Sequence, residues 1–291
     1  MNEPYGARHP GLIDRAVIAV TSHLPNNWLG LRAAIGLRRI VTTRMAGNSG
    51  MDVERWGLRM RLHPRDNGCE KGLLFTPQMY EVRERMELAA EIDKAAAAGR
   101  IFVFVDVGAN VGLFSLYVAS CAGAKTKILA IEPEPENMRR LRFNVTSNPG
   151  IPIRVIPLAV EANFGSVALE TNRRDRGGTR TRPMDEGNQS GIEVECLPLQ
   201  EVLRREGVTS IDALKIDIEG SEDRVLVPFF RNAAESLWPR FILIEDSRDS
   251  WRLDLFSVLA ECGYVLAAKT KQNTMLRRSQ KSSVTPGRTS A

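Results

Sequence analysis

The chain has 291 residues and a formal charge of +5, enough for one large α/β domain with extensions and an ample core. Arg and Lys outnumber Asp and Glu by six to two over residues 1–50 and by six to none from Gly263 on, leaving −5 on residues 51–262; the positive charge belongs to the two ends, so a polyanion-binding body is excluded and nucleic acid is not an expected partner. Cys69, Cys121, Cys196 and Cys262 form no Cys-x-x-Cys pair and have no histidine cluster, which argues against zinc and a disulfide framework and suits a reducing cytoplasm, and no apolar run nears the roughly twenty residues that span a bilayer.

Residues 12–20 and 28–41 carry apolar side chains at helical spacing around the break Pro25-Asn26-Asn27, predicting two helices in an N-terminal extension, residues 1–50. Their basic, partly apolar faces suit packing on the main body, with a membrane or a partner as the alternative. Residues 51–62 alternate around Gly57 and lead into the turn-like 63–68, a hairpin pattern. Pro77 opens a helical pattern that runs through Met79, Val82, Met86 and Leu88 to Gly99.

The β-branched and aromatic run 101–105 ends in Asp106, after which Gly108, Asn110 and Gly112 lead into the helical spacing of Leu113, Leu116 and Tyr117. A buried strand, a tight turn and a helix start place glycines and unpaired helix N–H groups together, as a small-molecule site requires. The pattern Asp-x-Gly-x-Asn-x-Gly is not the dinucleotide fingerprint, because the acid repels a pyrophosphate. It fits a ligand with an ammonium, a sulfonium and a ribose but no phosphate, such as S-adenosylmethionine.

The next strand, 128–131, ends in Glu132, twenty residues beyond Gly112, where an acid accepts both ribose hydroxyls of a nucleoside in a doubly wound sheet. Helix capping is the other reading of that carboxylate. A helix follows Pro133 and Pro135, and a third strand over 153–160 places Leu158 and Ala159 against an adenine. Strands at 164–169 and 192–197 enclose a polar segment with Arg173, Arg174, Arg176, Arg180 and Arg182 against Asp175; such a loop either grips an anionic or sugar-like acceptor or is solvated. A short helix over 199–203 starts at Pro198 and stops at Gly207. Residues 211–222, IDALKIDIEGSE, form a strand ending in Asp217, Glu219 and Glu222, with Gly220 and Ser221 as turn and cap, and helix capping is the other reading of Glu222. The strand 241–244 adds Glu245 and Asp246 at the same sheet edge, where open α/β sheets bind ligands.

VDVGANVG, AIEPEPEN, LKIDIEGSE and ILIE, in this order, resemble the FkbM-type S-adenosylmethionine-dependent methyltransferases of the Rossmann-like class over residues 51–278. The resemblance implies a mostly parallel seven-stranded sheet with helices on both faces, a final antiparallel strand in the hairpin 264–277, and transfer of a methyl group to an oxygen of a sugar, glycan or secondary metabolite. It makes Asp106, Gly108, Asn110 and Gly112 the methionine-side loop, Glu132 the ribose ligand and Asp217 the acid near the transferred methyl. The three histidines lie outside these motifs, so Asp217 and Glu245 are the catalytic candidates. Asp217 could also hold the cofactor's ammonium or, with a neighbouring acid, a divalent metal; no metal ligands are assigned. The alternative among enzymes is N-methylation of a base or amine, though adenine N-methyltransferases usually show an Asn/Asp-Pro-Pro-aromatic motif where this chain has 217–220, DIEG. A nucleoside-binding module without chemistry is the alternative of another class. Residues 279–291, rich in Ser, Thr and basic residues, are expected to be a disordered tail.

Overall fold

Phe102–Val107 is buried along its length, as an unbroken apolar run must be when both faces of a parallel sheet are covered. The computed structural model describes residues 3–45, 47, 49–172, 175–183 and 191–279. Seven strands lie in the spatial order Tyr264–Lys269, Asn273–Arg278, Phe241–Glu245, Ala213–Ile216, Phe102–Val107, Thr126–Ile131 and Ile153–Ile156. Only Asn273–Arg278 opposes the others, inserted between Phe241–Glu245 and Tyr264–Lys269. The predicted terminal hairpin thus supplies one antiparallel and one parallel strand. Period-two alternation sends Val105 and Val107 to a core shared with helices Leu199–Arg205, Glu222–Asn232 and Leu255–Glu261, and Phe102 and Phe104 to a core with helices Val82–Ala97 and Leu113–Ala122. The class is α/β, doubly wound and Rossmann-like.

The expected third strand, 153–160, divides at Pro157. Ile153–Ile156 pairs with Thr126–Ile131, whereas Ala159–Val160 joins a separate four-stranded sheet with Ile192–Leu197, Gly165–Glu170 and Arg180–Pro183. Proline has no N–H to continue a ladder. Arg180–Pro183 lies in the segment expected to be loop and pairs antiparallel with Gly165–Glu170; Arg173 and Arg174 fall outside the described residues. Of the expected tail only Ser279 is described, its N–H donating to Gly263 O at 2.9 Å; residues 280–291 lie outside.

Ahead of the sheet, α1 (Leu12–Ser22) and α2 (Trp28–Arg44) precede the hairpin Met51–Arg55 and Leu58–Leu62, whose turn places Trp56 and Gly57 at positive φ. The turn-like 63–68 proves to be a helix entry: Asn67 Oδ1 accepts from Cys69 N and Glu70 N and caps Gly68–Phe75. The helix expected from Pro77 begins only at Val82, because Glu81 sits in the left-handed region, φ +43°. All four cysteines are free.

Buried Arg140 joins this N-terminal layer to helix Pro135–Thr146. It donates to both carboxylate oxygens of Asp66 at 2.7 and 2.9 Å, to Glu70 Oε2 at 2.8 Å and to Glu136 Oε1 at 3.0 Å. Burial opposes its charge, but the carboxylates around it raise its pKa above the usual arginine range. Arg140→Ala should therefore cost roughly 3–5 kcal/mol in urea unfolding, because buried Glu70 loses its arginine and Asp66 is left to Arg176 alone. A loss below about 1 kcal/mol would contradict this account of the layer's attachment.

Candidate active site

Four strand ends meet at one edge of the sheet, and the residues that close them line a cavity of about 620 Å³. After Phe102–Val107 the chain turns through Gly108 at φ +74° and Asn110 at φ +53°. A Cβ at Gly108 would lie 1.9 Å from Asp217 O, so only glycine lets the two turns touch. Gly112, also at positive φ, faces Leu141, which a Cβ would meet at 2.3 Å; its part is helix packing, and it does not line the cavity.

Lys215 sits beneath this contact. It is buried opposite Asp106 in the parallel register, with Nζ 3.6 Å from Asp106 Oδ1, 3.3 Å from Asp217 Oδ2 and donating to Gly108 O at 3.3 Å. Burial works against its charge, while Asp217 and Asp106 more than offset this and hold its pKa above the usual lysine range. Asp106 is fully buried, with Oδ2 accepting from Ser115 Oγ at 2.7 Å; burial raises its pKa. The acid expected to meet a ligand ammonium directly thus faces Lys215 and does not line the cavity. The Lys215 signal in the sequence was a lone cation inside an apolar strand, which has to find a partner.

Glu132 does line the cavity. Its Oε2 accepts from Asn110 N at 2.7 Å and Oε1 from Glu134 N at 2.9 Å, which joins the second strand end to the glycine turn. Burial pushes its pKa up to about 7, against the pull of those two N–H groups. Leu158 and Ala159 border an apolar slot with Val107, Ile131 and Val160; Gly108, Pro133, Thr181 and Ile218 border both slot and cavity.

On the opposite side, Asp217, Glu219 and Glu245 present carboxylate oxygens within 4.8 Å of one another, a spacing that suits a shared proton or a divalent cation. Burial and the neighbouring Asp217 push Glu219 up to about 7 and Glu245 up to about 8. Glu245, expected at this edge from the neighbouring strand, completes the cluster, while Glu222 stands apart at the helix start. Glu222 instead accepts from Ile218 N at 2.9 Å, Gly220 N at 3.2 Å and Trp251 Nε1 at 2.8 Å, shaping the turn that holds Glu219 at φ +58°; the Ser221 side chain makes no cap.

The wall formed by 175–181 was not legible as such. Gly68 N donates to Asp175 Oδ1 at 3.1 Å, Arg176 N to Asp66 O at 2.8 Å and Asn137 Nδ2 to Arg176 O at 3.1 Å. The Arg176 guanidinium is committed to Asp66 and Glu134 and is not free to grip an anion, while Arg182 pairs with Glu170 at the surface. Asn137 Oδ1, buried at the cavity, has no hydrogen-bond partner and can accept from a ligand. Tyr80, Glu81, Gln272 and Asn273 complete a polar rim.

Residues 106–266 match the family described as the methyltransferase FkbM domain. The chain is 30% identical over 206 residues to methyltransferase sdnD of Sordaria araneosa, covering 53% of this chain and 79% of that protein. Among solved structures, precorrin-6y C5,15-methyltransferase of Geobacter metallireducens GS-15 superposes with a TM-score of 0.40 at 13% identity, over 72% of this chain and 92% of that one. An S-adenosylmethionine-dependent methyltransferase of Agrobacterium tumefaciens does so at 0.44 and 11%, over 81% and 72%. The strand order described above carries the fold assignment; these low scores do not.

Lys215→Met should destabilise the chain by roughly 3–5 kcal/mol at neutral pH, since Asp106 is left buried without a cation. The variant raises Asp106 further above its unfolded pKa, so the penalty is smallest below that unfolded value and grows as pH rises toward the folded one. Urea melts at acidic and neutral pH check this; a penalty independent of pH would contradict it.

Proposed function

We propose that this chain, which belongs to the FkbM methyltransferase family and is an S-adenosylmethionine-dependent methyltransferase, methylates a hydroxyl of a sugar, glycan or secondary metabolite. The observation that carries the reading is the carboxylate cluster Asp217, Glu219 and Glu245, facing the glycine turn across one polar cavity. The site suits the cofactor without a phosphate pocket. Gly108 seats the first turn on Asp217, Glu132 accepts from ribose hydroxyls, Asp217 faces the ammonium end or the reacting methyl, and adenine would have to widen the slot of about 20 Å³ beside Leu158 and Ala159. When bound, S-adenosylmethionine supplies an electrophilic methyl on a sulfonium that leaves as a neutral thioether.

The chain's part is to hold the acceptor oxygen in line and to take its proton as the oxygen–carbon bond forms. Asp217 and Glu245 are the proposed acceptors of that proton, a reading supported by the clustering of their carboxylates with Glu219. The rim of Tyr80, Glu81, Gln272 and Asn273 offers hydrogen bonds suited to a polyhydroxy acceptor. A second reading has its own support: the same three oxygens could chelate a divalent cation, which would lower the pKa of a coordinated hydroxyl.

Asp217→Asn should cut turnover by roughly a hundredfold or more with cofactor affinity changed only a few fold, and chelators should leave the wild type active. Loss of activity on chelation would favour the cation reading, and near-normal turnover would remove Asp217 from the mechanism. For binding, the free Glu132 sits at about 7, and ribose hydroxyls donating to it stabilise its charged form and lower its pKa. Calorimetry with S-adenosylhomocysteine should then show affinity highest above pH 7, falling about tenfold per unit as pH drops below it, with a proton released on binding. Glu132→Gln should remove that slope; a slope unchanged in the variant would assign the proton to another group.

A further inference from the structure

α1 and α2 bury little of themselves. In α1 the buried residues are Val17, Ile18 and Thr21, and in α2 they are Gly30, Ala34 and Val41. These two narrow strips serve packing against each other and against Gly68–Phe75, which satisfies the expectation of helices resting on the body. Their outer sides remain apolar. Leu12 is 79% exposed and Val20 53%, while Trp28 is 66% and Leu29 58%. By helical spacing Leu12, Ile13, Ala16 and Val20 share one side of α1, and Trp28, Leu29, Ala33 and Ile40 share one side of α2. A solvated helix would carry charged pairs on such a face.

The exposed charges are mostly of one sign, the single acid of the two helices being the partly buried Asp14 in the first turn of α1. α2 contains Arg32, Arg38, Arg39 and Arg44 and no acid. Among the described residues none of these, nor Arg15 in α1, has an ion-pair partner closer than 4.0 Å, whereas Arg61, Arg140 and Arg176 in the body are all paired. Arg32 and Arg39 flank Trp28 on the exposed side of α2. The partner this face complements is therefore apolar inside and anionic outside. A second copy of the chain fits poorly, because a two-fold contact would set arginines against arginines. No described helix is long and apolar enough to cross a membrane, so contact would be in the plane of the interface, where tryptophan is favoured and arginine meets headgroup phosphate.

We propose that the outer face of α1 and α2 docks on an anionic lipid bilayer, with Leu12, Val20, Trp28 and Leu29 in the acyl boundary and Arg32 and Arg39 at the headgroups.

The test is flotation of the full chain with vesicles of phosphatidylcholine alone or mixed with phosphatidylserine. Binding should require phosphatidylserine and weaken at high salt. Arg32→Glu with Arg39→Glu should weaken it roughly 25-fold or more, about fivefold for each arginine lost with a further loss from the added acids. Trp28→Ser should weaken it severalfold at unchanged charge. Both variants lie on the surface, and unaltered melting and S-adenosylhomocysteine affinity would show that they fold. No binding to phosphatidylserine vesicles, or equal binding by wild type and both variants, would overturn the proposal. So would a dimer in sedimentation that Trp28→Ser dissociates, which would make the face a self-contact, or binding only to an acidic protein.

Discussion

Lys215 stands between two carboxylates that the sheet itself forces together. Parallel pairing sets Lys215 opposite Asp106, and Asp217 follows two residues later at the strand end. Without a cation there, two acids beside a buried turn would repel each other or take up protons. With it, Asp106, Asp217 and the Gly108 carbonyl are drawn to one ammonium, and the glycine turn comes close enough to the 217 turn that no Cβ fits between them. The cavity floor is thus one electrostatic unit, to which Glu132 is joined through Asn110.

Around that floor, several acids lie near the midpoint of their titration at neutral pH. Burial lifts Glu81, Glu132 and Glu219 to about 7 and Glu245 to about 8. Each can accept a hydrogen bond when charged or donate one when protonated, so the cavity responds to the charge and hydroxyl pattern of what enters it. This behaviour suits a reaction that brings in a cationic cofactor and releases a proton from an alcohol. A site built on a single fixed charge would respond less.

Much of this was visible in the chain because the informative residues end strands. Asp106, Glu132, Asp217 and Glu245 each close an apolar run, and Gly108 and Asn110 announce the positive-φ turn. What escaped depended on contacts without a local signature. Asp175 reaches Gly68 across 107 positions, and Arg176 joins Asp66 across 110, so a segment rich in arginine became a wall instead of an open loop. Glu222 was open between cavity acid and helix-start carboxylate, and the N–H groups of Ile218 and Gly220 decide for the second. Helix Gly68–Phe75 was hidden behind residues that resemble a turn, since a capping asparagine and a turn asparagine look alike in sequence. Pro157 was the overlooked sign that the third strand would divide between two sheets.

In the proposed binding mode the Lys215-tied floor receives the cofactor's methionine end and Glu132 its ribose. A crystal structure of the chain with S-adenosylhomocysteine tests it most directly. The account predicts both ribose hydroxyls on the Glu132 carboxylate, the adenine against Leu158 and Ala159, and the sulfur directed toward Asp217 and Glu245. A ligand lying away from Gly108, or with its ribose held by residues other than Glu132, would contradict it.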